Sequence, residues 1–309
     1  MVYLEAEQVV ESLSMSGLIR SMRETYQEQT TIPQRNVMPL EEGKYDVKLL
    51  PAVVFNYGTC GIIGLIYLSA HPFFNTLNYE NWMIYALLLG FLFISVFYGM
   101  GYVTHKMGVS TSTVAAKMGV VFPVIYGLAF LQEHVSFILI IGILCSIFAV
   151  VLISGRGTHI DKEKNLLPVL WVFIGSGIID ICIKVISDKA QLPNDLQFLP
   201  TLIIFASAFV LGSILLISKL KKDKPRKKDV FGGILLGVPN FFSIYFILLA
   251  LNVNGMKASF FYPVNNVSIV LLSTLLAILL FKEKLGKRKA LGLAVAVLSI
   301  VLINQGNAF

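Results

Sequence analysis

Two stretches decide the fold: Glu133-His-Val-Ser-Phe-Ile-Leu-Ile-Ile-Gly142-Ile-Leu-Cys-Ser-Ile-Phe-Ala-Val-Val-Leu-Ile153 and Glu283-Lys-Leu-Gly-Lys-Arg-Lys-Ala-Leu-Gly292-Leu-Ala-Val-Ala-Val-Leu-Ser-Ile-Val-Leu-Ile303. Glutamate, glycine and isoleucine stand at the same intervals in both, with a constant offset of 150 residues. Moving back through each copy, Gly90, Tyr98 and Gly108 match Gly237, Tyr245 and Gly255 at an offset of 147. Pro51 and Ser69 match Pro200 and Ser218 at 149. The chain is a duplication, and nearly all of both copies is apolar.

Of the 309 residues, 56% are hydrophobic and 14% charged, whereas soluble domains carry about 25% charged residues. A soluble fold of this size could not bury so much apolar surface, so the chain is expected to be an all-α integral membrane protein. The net charge of +7 does not point to nucleic acid, because the lysines and arginines cluster in short links between apolar runs. Cys60, Cys145 and Cys182 fall inside those runs without metal-ligand spacing and read as small buried hydrophobes. The first residues are acidic and mixed, unlike a signal peptide.

Hydropathy with windows of about 20 residues gives nine spans: 50–69, 81–103, 111–131, 136–154, 167–187, 199–218, 231–251, 259–281 and 290–304. Pro123, Pro239 and Pro263 lie inside spans and read as kinks, which neighbouring helices can tolerate in lipid. The links 104–110, 155–166, 219–230 and 282–289 hold sixteen Lys and Arg, whereas the other links and the C-terminal tail hold only Lys189 and Lys257. The first set is expected to face the cytoplasm. Corresponding links of the two copies, such as 70–80 and 219–230, fall on opposite sides, so the duplication is expected to be inverted. Inverted duplication in a polytopic chain is the usual architecture of a secondary transporter.

The second copy opens with the span 167–187, and its counterpart should lie near residues 18–38. That segment is charged, at about 2.5–3.5 kcal/mol per central charge in lipid, so it cannot span. Residues 1–48 are expected to form a polar tail in place of a first helix. Either an altered reading frame upstream of Leu49 or a divergent variant would explain it. The expected organisation is a tail to 48, a four-helix unit over 49–154, a linker over 155–166, a five-helix unit over 167–304 and a short tail over 305–309.

With its two hairpins, Pro123-Val-Ile-Tyr-Gly-Leu-Ala-Phe-Leu-Gln-Glu133 and Ser273-Thr-Leu-Leu-Ala-Ile-Leu-Leu-Phe-Lys-Glu283, each leading into a Gly-containing span, the chain resembles an EamA-type member of the drug/metabolite transporter superfamily. The second hairpin departs from the pattern by carrying Ser273 where Pro would align. The resemblance implies a helical transporter with a central cavity, five helices per unit, no ATP site and no cofactor. Nothing resembles a phosphate loop or a metalloprotease motif, so no enzymatic activity is expected.

Ionisable residues inside spans are expensive and mark function. Three lie well inside: Lys117, Asp180 and Lys184. Asp180 and Lys184 are four apart on one helix face and are expected either to pair with each other or to join the site. Lys117 has no partner on its own helix. The repeat sets it opposite Val267, beside Asn265 and Asn266, so both units offer polarity at one depth. Asn240, Tyr98 and Tyr245 complete the candidate substrate-binding set, although each alone fits a packing role. Glu133 and Glu283 sit at helix ends and read as caps or hairpin formers.

Two positive charges against one negative favour an anionic or zwitterionic metabolite. The expectation is a small-molecule carrier, multi-pass in the cytoplasmic membrane of a bacterial-type cell and working by alternating access, with the bilayer as partner and no nucleic acid. A coupling ion and a homodimer are compatible with this plan. The competing expectations are a flippase for a lipid-linked substrate, or a membrane protein inactive for transport through loss of its first helix.

Overall fold

The computed structural model describes residues 48–70, 81–107, 109–133, 136–154, 166–190, 192, 196–220, 224–253, 256–281 and 286–307. Among these, all regular structure is helical: α1 Leu49–Ala70, α2 Trp82–Met107, α3 Val109–Met118, α4 Val121–Ala129, α5 Phe137–Ser154, α6 Leu167–Lys189, α7 Leu199–Ser218, α8 Lys227–Leu251, α9 Ala258–Phe281 and α10 Lys287–Asn307. Among the described residues, seven spans are long and apolar enough to cross a membrane, with α3 and α4 together making one of them. The apolar cores of α5 and α10, Phe137–Ile153 and Ala290–Gly306, are shorter. The polar tail before Lys48, and with it Gly108, Gly255 and Glu283, lies outside the described residues.

Helices lie at the predicted apolar runs, but seven of them reach the length of a crossing where nine are expected, and one run is broken. The expected single helix over 111–131 is interrupted at Gly119 and Val120. Pro123 has no N–H to give the Gly119 carbonyl, which accepts from Phe122 instead. Gly119 and Val120 also donate three residues back, to Ala116 and Lys117. The chain thus tightens into a 3₁₀-like turn immediately after Lys117. By contrast, Pro239 and Pro263 sit within uninterrupted helices.

The helices pack through small residues, as expected where no hydrophobic force distinguishes protein from lipid. The most extensive contact joins α5 to α10. There a Cβ on Gly142 would meet Ile303, and one on Gly292 would meet Ile153. Each contact is the other displaced by one repeat, and the two helices run antiparallel. A second pair joins α1 to α7, with Gly64 against Leu202 and Gly212 against Val54; these contacts are reciprocal at an offset of 148, one less than Pro51 and Pro200 suggest. A third relates two interfaces: Gly90 of α2 lies against Ile204 and Ala208 of α7, and Gly237 of α8 lies against Asn56 and Thr59 of α1.

The main core lies among α1, α2, α6, α7, α8 and α9. Its centre is aromatic: Tyr57, Phe93, Phe205 and Phe241 are all fully buried, and the Tyr57 and Phe205 rings stand 5.7 Å apart. α6 crosses α2, with Gly175 against Val96 and Gly99 against Trp171. It also seats the α3–α4 break, because Gly119 lies against the backbone of Phe173 and Gly177. α8 and α9 have no comparable helix across them among the described residues, and they are not packed extensively on each other.

Candidate functional site

Lys117 is the next-to-last residue of α3, on the edge of the break. Its Nζ donates to Asn266 Oδ1 of α9 at 3.0 Å, across 149 residues of chain. Asn266 is buried. A small pocket opens beside this bond, lined by Lys117 and Val120, by Asn266 and Val267 of α9, and by Ser146 and Val150 of α5. Its volume of about 10 Å³ is near the minimum that one water requires. The Ser146 hydroxyl is turned back on its own helix, donating to the Ile143 carbonyl at 2.7 Å.

Asp180 approaches the same region from α6, and its carboxylate and the Lys117 ammonium interact electrostatically. The Tyr262 hydroxyl of α9 donates to the Asp180 carbonyl oxygen at 2.5 Å, which ties α9 to α6 at this level. Three elements from the two copies therefore converge: the end of α3, the middle of α6 and the first half of α9.

One end of α9 is held by the other copy. Glu133 Oε1 accepts from the Ala258 N–H at 2.7 Å, and Oε2 accepts from the Ser259 N–H at 3.0 Å and from the Ser259 hydroxyl. Those amides are among the first of the helix, which have no intrahelical partner, and the positive end of the helix dipole favours a carboxylate there. Gln132, with a φ of 51°, turns the chain so that Glu133 can reach across. The capping role read from the sequence for Glu133 is what the geometry shows.

Residues 166–305 match the EamA-like transporter family. The matched stretch is the second of the two copies, a little under half of the chain. An uncharacterised protein of Haemophilus influenzae is 28% identical over 267 residues, covering 83% of this chain and 89% of that protein. A solved crystal structure of a protein superposes with a TM-score of 0.66 at 14% identity, covering 84% of this chain and 89% of the other. That likeness shows a shared fold. With its apolar helices and this match, the chain is a multi-pass membrane protein.

Several candidate residues lie elsewhere. Lys184 does not pair with Asp180; its Nζ bonds Asp188 Oδ1 at 2.5 Å. Both carboxylates are four residues from Lys184, one on each side, and it takes the one near the C-terminal end of α6. The sequence-based excess of one positive charge is thereby removed, since Asp188 neutralises Lys184 and leaves Lys117 facing Asp180. Asn240 donates to Asn56 Oδ1 at 2.9 Å between α8 and α1, an interhelical bond away from Lys117. Tyr98 is exposed, and Lys219 Nζ lies 5.1 Å from its ring centroid. Tyr245 stacks with Phe241 at 6.3 Å on the edge of the aromatic core. Asn265 is half-buried beside Asn266.

Sequence reasoning missed Ser146, Tyr262 and Asp188. Only Asp188 carried a signal, its four-residue spacing from Lys184. No group of three or more His, Cys, Asp or Glu side chains suited to a metal occurs among the described residues.

Proposed function

We propose that the chain is a secondary transporter that carries a small zwitterionic metabolite across the cytoplasmic membrane by alternating access, with two inverted helical units moving about a site at Lys117, Asn266 and Asp180. The Lys117–Asn266 bond carries this reading. A lysine at the centre of a bilayer costs about 2.5–3.5 kcal/mol, and interhelical polar bonds in membranes average about 0.6 kcal/mol. One amide does not offset the lysine, and the Asp180 carboxylate that also acts on it is itself a charge taken out of water, so the cluster is costly unless it serves binding. It stands where a discontinuous helix from one unit meets the other unit, the arrangement transporters use for midplane sites. The reciprocal glycine contacts support the inverted relation of the units, because a contact exchanged between antiparallel repeat mates requires a twofold axis across them.

The balance of charge supports a zwitterion over a simple anion. With Lys184 occupied by Asp188, the site offers one ammonium and one carboxylate, which match a ligand bearing both signs. The carrier reading is tested with purified protein in proteoliposomes, using a panel of labelled anionic, cationic and zwitterionic metabolites. Uptake of a zwitterion that Lys117→Ala abolishes, with the variant still inserted and folded, is the expected result. Undiminished uptake by that variant would remove Lys117 from the site.

A further inference from the structure

Along α6, Asp180, Lys184 and Asp188 stand four residues apart, so the lysine lies between two carboxylates on one helix face. Tyr262 of α9 marks that face. Its hydroxyl donates to the Asp180 carbonyl oxygen at 2.5 Å, and it lies within electrostatic reach of both the Asp180 and the Asp188 carboxylates. The backbone at Asp180 is therefore pinned, and the part left to move is the lysine side chain. In this structure Lys184 sits on Asp188, while Asp180 interacts with Lys117 of α3. The other cation at this end of α6, Lys189, is turned to the Tyr85 ring, 5.7 Å from its centroid.

The order of charges favours a different arrangement. A carboxylate one turn N-terminal to a lysine is the better-oriented pair on a helix, and that pair is Asp180 with Lys184. What opposes it here is Lys117, which already serves Asp180. We infer that Lys184 is a positioning residue that sets substrate class: it moves from Asp188 to Asp180 when a ligand's carboxylate takes Lys117, so that one site accepts simple carboxylates as well as zwitterions. This rests on the site proposed above. A zwitterion brings its own ammonium to Asp180, and Lys184 stays where it is. A carboxylate without an amine leaves Asp180 alone in the middle of a membrane-spanning helix, and a buried charge stripped of its partner is strongly destabilising. Moving Lys184 by one turn hands the unpaired state to Asp188. There the side chain is 37% exposed, against 7% for Lys184, so the charge left over is the one that water reaches.

The reach of Lys184 is tested without any ligand. Thermal midpoints in detergent of Lys184→Gln, Asp180→Asn and the two combined are measured in the parent chain and again with Asp188→Asn. The shifts are expected to add within about 1 °C in the parent, whereas with Asp188→Asn the combined variant is expected to lose at least about 3 °C less than the sum of its members. Additive shifts in both backgrounds would overturn the inference. Substrate class is then read in proteoliposomes, with labelled L-alanine set against L-lactate and L-aspartate against succinate. Lys184→Gln is expected to lower uptake of the acid lacking an amine at least about tenfold relative to its amino counterpart, and Asp188→Asn to move the ratio the other way. Equal losses of both members in Lys184→Gln would overturn the inference in favour of a fixed structural pair. Uptake indifferent to Lys117→Ala would strike the site itself, whereas uptake lost in Lys117→Ala with a ratio unmoved by Lys184→Gln would strike the exchange alone. If neither pair is carried, the midpoints decide.

Discussion

Gly142 lies against Ile303, close enough that any side chain at position 142 would meet it. Because the contact recurs as Gly292 against Ile153, each glycine is tested by its own mate. Gly142→Leu and Gly292→Leu are both expected to destabilise the protein by about 1–3 kcal/mol through overpacking. Gly61, whose Cβ would meet nothing within 4 Å, is the control, and Gly61→Leu should leave the thermal midpoint in detergent near that of the parent. Equal midpoints for all three variants would contradict the packing described.

Removing Glu133 strips the first turn of α9 of its partner. Glu133→Ala is expected to cost about 1–2 kcal/mol, and Glu133→Gln less, because the amide oxygen still accepts a bond. The order of the two midpoints is the test: a Gln variant as unstable as the Ala variant would mean that only the charge matters.

Lys184 and Asp188 should respond unequally. Lys184 is 7% exposed and Asp188 37% at the side chain. Asp188→Ala leaves an ammonium buried without a partner, whereas Lys184→Ala leaves a carboxylate that water reaches. The Asp188 variant is therefore expected to be the less stable by about 1 kcal/mol or more, and the double variant to recover part of the loss. Denaturation of the three variants under one set of conditions decides it.

The two amides read alike in the sequence should separate in function. Asn266→Leu is expected to reduce transport at least tenfold by removing the acceptor of Lys117. Asn240→Leu breaks only the bond to Asn56, worth about 0.6 kcal/mol in a membrane, and should transport at near parental rates. Matching losses in both variants would place Asn240 in the pathway as well.

Much of this was legible from residues alone, for reasons that differ by element. The spans were readable because lipid demands long apolar runs, and α7, Leu199–Ser218, coincides with its predicted 199–218. Lys117 and Asn266 could be brought to one depth because repeat offsets translate sequence into height in the membrane. The break after Lys117 could not, since Pro123, Pro239 and Pro263 look equivalent and only the first follows residues, Gly119 and Phe122, that lie against Gly177 of α6. The partner of Lys184 was undecidable for a related reason: helical spacing offers Asp180 and Asp188 equally, and solvent access chooses between them. Tyr98 and Tyr245 were singled out because they are repeat mates, but symmetry marks equivalent places and not chemical roles.

The carboxylate that holds the first turn of α9 has a bearing on how the molecule is made. Glu133 leaves the ribosome 125 residues before the Ala258 amide it will bind, so the earlier unit is made with its acceptor ready before the later helix exists. The later helix, in turn, has no partner for those amides until it meets that acceptor. Assembly of the second half is thus guided by the first, and a chain stopped before Ala258 would display an unused anchor at its surface.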